Sequence, residues 1–167
     1  MNFIIKGSVV HFWLLFILFF YFMSVARQLI LTERFARYPA FSKLKITHFS
    51  PQKVILQMPV ESSHLNFQNG LFGGITASLI DIGGTMAIYA KQDEEKMDNA
   101  GVSVDLSVSY LNGGKLGDLL TIHSVCDKFG KNLAFTRVDI LVDEKVIATG
   151  RHTKYMGLGN YKAESSQ

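Results

Sequence analysis

HLNFQNGLFGGITASLIDIGGTMAIYA, residues 64–90, decides how this chain folds. From Ile75 to Ala90 apolar residues occupy nearly every face of a helix, so the segment must be surrounded by protein on more than one side. Gly83 and Gly84 would weaken an exposed helix, and here they predict close approach of another backbone. One carboxylate, Asp81, lies among residues otherwise suited to burial. An unpaired buried carboxylate is costly enough that it normally neutralises, finds partners or is kept for use. Periodicity leaves two roles open for Asp81: facing a polar seam and capping a neighbouring backbone, or serving chemistry. It lies about two turns from the helix start, which predicts a place near the Gly73-Gly74 end.

The flanks supply the sheet. LKITHFS at 44–50 and KVILQMPV at 53–60 are β-branched and aromatic runs around Ser50-Pro51-Gln52, the pattern of a hairpin. A loop from Glu61 to Gly74 leads to the helix, and the charged segment KQDEEKMDN at 91–99 leaves it. Strand-like runs follow at 101–111, 118–129, 132–142 and 145–157, separated by Asn112-Gly113-Gly114, Gly130-Lys131 and Asp143-Glu144. One amphipathic sheet buries an all-round apolar helix only by curling about it, with something covering the remainder. The expected fold class is therefore α+β: a hotdog architecture, an antiparallel sheet wrapped around a long central helix and paired with a second copy.

Upstream, SVVHFWLLFILFFYFM at residues 8–23 is nearly unbroken apolar, and counting on to Ala26 gives a helix of roughly 27 Å, just enough to span a bilayer. Three readings compete. A secretory signal is suggested by Lys6 before the run and Ser24-Val25-Ala26 after it. A buried core helix fits poorly, because so many large aromatics without a polar face suit lipid better. The favoured reading is an N-terminal transmembrane anchor over residues 8–26, because the run passes without a break into the next helix. Arg27, Arg34 and Arg37 outnumber Lys6, which puts the folded body on the cytoplasmic or matrix side. Arg27 to Tyr38 reads as a helical extension stopped by Pro39. The expected organisation is an anchor and extension over 1–38, a hotdog domain over 39–160 and a flexible tail over 161–167.

Composition narrows the function classes. The 167-residue chain is 48% hydrophobic with a net charge of +3, and it lacks the dense basic runs interleaved with aromatics of nucleic-acid binders. A membrane surface or a phosphate-bearing ligand fits better. Cys126 is the single cysteine, so an intrachain disulfide is excluded, and it reads as a small hydrophobe in a strand. His64, His123 and His152 lack metal-ligand spacing and read as turn or strand residues, so no metal is expected. Gly73 and Gly74 at a helix N-terminus expose amide donors and the positive end of the dipole, suited to a carbonyl oxygen that becomes anionic. They equally suit a tight loop. Asn66 offers either a side-chain donor or a turn residue.

His64-x-Asn66, Leu71-Phe72-Gly73-Gly74-Ile75-Thr76-Ala77 and Leu79-x-Asp81 together resemble the hotdog-fold acyl-CoA thioesterases of the acyl-coenzyme A thioesterase 13 type. GVSVDLSVSYL at 101–111 resembles the strand after their central helix, and Leu133–Thr136 with Gly150–Lys154 resembles their last strands. The similarity covers roughly Phe41 to Asn160 and leaves the N-terminal segment outside. The resemblance implies a homodimer or dimer of dimers with composite sites at the subunit interface. In it Asn66 and the Gly73 amide polarise the thioester carbonyl, and Asp81 of the partner subunit activates water with help from Ser103. No cofactor is implied beyond the coenzyme A of the substrate.

One position departs. Where that branch carries histidine before the two glycines this chain has Phe72, a bulky apolar group beside the carbonyl site and Gly74. Lys115, Arg151 and Lys154 are candidates for the coenzyme A phosphates, or solvated surface charge. Two functions remain: a membrane-anchored acyl-CoA thioesterase, or a non-catalytic thioesterase-like subunit of a larger complex in a membrane such as the mitochondrial inner membrane. Retention of Asn66, Gly73, Asp81 and Ser103 favours the enzyme.

Overall fold

Alternation of apolar and polar residues builds the strands, and their buried positions line one face. The protein is represented by a computed structural model, which describes Leu31, Glu33, Phe35, residues 37–92 and residues 100–157. The expected membrane-spanning run, residues 93–99 of the charged segment and the expected tail lie outside the described residues. Strands β1 (Lys45–Phe49) and β2 (Val54–Pro59) form the expected hairpin, closed by Ser50 and Lys53, whose backbones exchange two hydrogen bonds. Helix α1 (Gly73–Lys91) follows, then β3 (Val102–Tyr110), β4 (Leu119–Phe129), β5 (Leu133–Val142) and β6 (Lys145–Tyr155). The β5–β6 turn places Asp143 at φ 46° and Glu144 at φ 65°, the double left-handed conformation that matches the twist of a two-residue hairpin.

All six strands form one antiparallel sheet in the order β1-β2-β4-β5-β6-β3. α1 packs across β4, β5 and β6, burying Leu79, Ile80, Met86 and Ile88 completely. From Ile82 to Ala90 every residue of the helix is buried, as its all-round apolar sequence requires. This is the hotdog fold. Leu31, fully buried, and Phe35 join the core, so residues upstream of Pro39 contribute to the body. Among the described residues no helix is long and apolar enough to cross a membrane.

Cys126 is buried beside Ala87, Ile88, Ala134 and Met156 as a small apolar residue. β3 is exposed along nearly its whole length, with Val102, Val104, Leu106 and Tyr110 all open, and it forms one outer edge of the sheet.

The two mid-helix glycines let α1 sit directly on side chains of the sheet. A Cβ at Gly83 would lie 2.5 Å from Ser124 Oγ, and one at Gly84 would lie 2.6 Å from Thr136 Oγ1 and 3.1 Å from His152 Nδ1. Overpacking of this kind costs about 1–3 kcal/mol, against a helix-propensity gain of about 1 kcal/mol for alanine. Gly84→Ala is therefore expected to lower the melting temperature by several degrees, whereas Gly113→Ala, with nothing within 4 Å, is expected to leave it unchanged. Equal melting temperatures for the two variants would contradict this packing.

Candidate active site

Asp81 faces β6 from the middle of α1. Its Oδ1 lies 3.4 Å from His152 Nδ1 and 3.9 Å from Lys154 Nζ. His152 and Lys154 are two residues apart on one strand, so strand periodicity turns both toward the helix. The Asp81 side chain is 47% exposed, whereas those of His152 and Lys154 are 0% and 7% exposed. The carboxylate thus looks outward with an imidazole and an ammonium beneath it. Thr85, one turn on, donates to the Asp81 carbonyl at 2.9 Å and accepts from Lys154 Nζ at 2.9 Å. On the far side of His152, Nε2 lies 2.9 Å from Ser103 Oγ. Ser103 and Asp81 are thereby joined through one buried imidazole.

Burial pushes the His152 imidazole below its ordinary range because the charged form loses its hydration; Asp81 opposes the shift and Lys154 adds to it. Burial also lowers Lys154, again opposed by Asp81.

The Gly73 half of the site is elsewhere. Eight residues separate Gly73 from Asp81, a rise of about 12 Å along the helix, so Asp81 is not at the Gly73-Gly74 end as expected. Tyr110 Oη donates to the Gly73 carbonyl at 3.1 Å, which puts the helix start at the Tyr110 end of β3 while Asp81 groups with the Ser103 end. The amides of Gly73 and Gly74, the first two of α1, have no intrahelical acceptor. Phe72 caps the helix with its carbonyl, which accepts from Ile75 and Thr76, and donates its own amide to the His64 carbonyl. Its ring, on a residue 53% exposed, lies over Gly74, where a Cβ would sit 2.5 Å from Cε1. Asn66 is a turn residue: Oδ1 accepts from the amides of Gln68 and Gly70, and its side-chain amide remains a donor. His64 is a buried clamp, accepting from Glu61 N at Nδ1 and bonding the Ala40 carbonyl through Nε2.

The three candidate phosphate contacts separate. Lys115 is exposed next to Gly114, whose carbonyl accepts from Leu71 N, and so flanks the Gly73 half. Arg151, opposite Ser107 and Arg137, is exposed on the sheet face turned away from the helix. Lys154 is buried against Thr85 and Asp81, which is neither a solvated charge nor a pocket-mouth cation. His152 and Thr85 are the residues that sequence reasoning missed. The signal for His152 was the alternation Gly150, His152, Lys154 on the inward face of β6, readable once that face is set against Asp81. Among the described residues no cluster of three or more histidine, cysteine or acidic side chains is placed to hold a metal.

A pH dependence follows. Between the depressed value of His152 and its ordinary 6.5, the unfolded chain binds a proton that the folded chain refuses. The contribution of this group to stability is therefore complete above pH 6.5 and is lost as the pH falls below it. An imidazole titration followed by NMR is expected to place the His152 midpoint below 6.5; a midpoint above it would mean that Asp81 outweighs burial.

Comparison with known proteins bears on the family and the fold. The thioesterase superfamily model matches residues 68–149. Human acyl-coenzyme A thioesterase 13 is 41% identical over 117 residues, covering 69% of this chain and 81% of that protein. The crystal structure of thioesterase superfamily member 2 from Mus musculus superposes with a TM-score of 0.71 at 34% identity, covering 81% of this chain and 98% of the other. A hypothetical thioesterase from Streptococcus pneumoniae, solved with coenzyme A, gives a TM-score of 0.63 at 26% identity, covering 70% and 88%. With a relative 41% identical over 69% of its length, the chain belongs to the thioesterase superfamily, as a thioester hydrolase of the hotdog fold.

Proposed function

We propose that this chain is a membrane-anchored acyl-CoA thioesterase whose active sites are shared between two copies paired through β3. The observation that carries the reading is the separation of two half-sites in one chain. Asp81, His152 and Ser103 gather at one end of β3, and Gly73 meets Tyr110 at the other. β3 is an open edge with exposed apolar residues, a surface that pairs readily with another strand. Antiparallel pairing of β3 with its own copy about a two-fold axis sets each Ser103 end beside the partner's Tyr110 end. The carbonyl-polarising and water-handling groups then meet twice, once at each end of the joint.

In this reading the thioester oxygen is bound by the Gly73 amide, at the positive end of α1, and by the Asn66 side-chain amide. Oxyanion donors of this kind are worth about 10²–10³ in rate each. Asp81 of the other subunit takes a proton from water as it attacks the carbonyl carbon, with Ser103 orienting the water, a role worth about 10²–10⁴. The tetrahedral intermediate collapses with loss of the coenzyme A thiolate. Lys115 flanks the Gly73 half and meets the coenzyme A phosphates, and the ring of Phe72 gives the acyl group an apolar wall. The support for acyl-CoA as substrate is the similarity to acyl-coenzyme A thioesterase 13. The support for the anchor is the apolar run at residues 8–26.

Thiol release from a panel of acyl-CoAs is expected for the full chain, with Asp81→Asn lowering kcat about 10²–10⁴-fold and Phe72→His remaining active. Absence of turnover across the panel, or full activity in Asp81→Asn, would refute the assignment. For the anchor, alkaline extraction of membranes is expected to leave the chain in the pellet, and its release would refute a spanning segment.

A further inference from the structure

Hydrolysis as proposed leaves one buried group without a task. The two ring nitrogens of His152 face two of the water-handling side chains: Nδ1 lies 3.4 Å from Asp81 Oδ1 and Nε2 lies 2.9 Å from Ser103 Oγ. Nδ1 is buried with the carboxylate and the main chain of Asp81 in front of it, and 3.4 Å is at the long end for a hydrogen bond. The ring cannot drift far. Thr136 Oγ1 donates to the His152 carbonyl at 3.0 Å, and a Cβ at Gly84 would lie 3.2 Å from the His152 Cβ.

Three ionisable groups face the imidazole: Asp81 from α1, Lys154 from β6 and Asp105 from β3. A bare lone pair on Nδ1 would point at the Asp81 carboxylate, whereas a proton there is attracted to it. The neutral ring therefore carries its proton on Nδ1 and presents a lone pair at Nε2. The Ser103 hydroxyl donates to that lone pair and turns its own oxygen lone pairs outward.

We propose that His152 is a positioning residue for hydrolysis: by donating to Asp81 and accepting from Ser103, it makes Ser103 an acceptor toward the attacking water. It rests on the thioesterase reading. Water is then held with its hydrogens toward Asp81 and Ser103 and a lone pair toward the carbonyl carbon. The water oxygen forms the new C–O bond, its proton passes to Asp81, the C–S bond breaks, and the departing thiolate takes the proton up. Protonation of His152 reverses the link: Nε2 becomes a donor, Ser103 must accept from it, and the serine O–H swings outward toward the water. Activity therefore falls as His152 titrates.

Two variants separate the ends of the link. His152→Asn keeps a donor toward Asp81 and loses reach to Ser103; His152→Gln reaches Ser103 and abandons Asp81. Each is expected to lower kcat about 10²-fold, the cost of misplacing a reacting group, with KM changing less than about threefold, and to shift the acid limb of kcat/KM to lower pH. In a double-mutant cycle His152→Asn is expected to add little to the loss from Ser103→Ala, because it acts through that serine. An unmoved acid limb with fully multiplicative losses would overturn the proposal. Imidazole nitrogen NMR of the parent protein gives a readout independent of turnover and of variant folding. A proton on Nδ1 at pH 8 is expected, and one on Nε2 would overturn the link. Absence of turnover in the parent removes the acyl-CoA assignment and leaves the tautomer to decide the arrangement.

Discussion

The close seating of α1 on the sheet at Gly83 and Gly84 is the contact on which the rest depends. With no side chain at either position the helix lies directly on Ser124, Thr136 and His152, and Gly150 lets Ile80 press onto β6 in the same way. That approach brings Asp81, barely one turn before Gly84, within 3.4 Å of a buried imidazole. Any larger residue in this seam would lift the helix and open the gap. Packing and chemistry are thus set by the same few ångströms: the glycines that allow a buried helix also fix the surroundings of the one acid it carries.

The surroundings account for Asp81 being tolerated. Half exposed and backed by Lys154 and Thr85, the carboxylate keeps contact with solvent while its partners are dehydrated. The positive charge beneath it is itself costly to bury, and both His152 and Lys154 show that cost as lowered proton affinity. Such an arrangement does little for stability, as is usual where groups are held for reaction.

Much of the fold was legible because hydrophobic period and turn chemistry agreed. The all-round apolar run Ile75–Ala90, the Ser50-Pro51-Gln52 turn and the Asp143-Glu144 turn each allowed one outcome. The site was legible only as separate residues. Counting turns along α1 suggested that Asp81 and Gly73 share a neighbourhood, but a helix rise of about 12 Å parts them. The inward face of β6 was the harder miss, since Lys154 reads as surface charge and His152 as an ordinary strand residue until the register against β3 and α1 is known. Asn66 proved to be a turn residue that still leaves a donor, so the two readings of it were compatible.

The opposite placement of the half-sites along β3 makes a second copy a chemical requirement of the proposed reaction as well as cover for an apolar edge. Complementation tests this most directly. Asp81→Asn and Asn66→Ala chains, each inactive alone, are co-expressed and assayed for acyl-CoA hydrolysis. Shared sites predict recovery of about a quarter of parental activity, since half of the dimers are mixed and half of their sites are intact; no recovery from demonstrably mixed dimers would contradict the account.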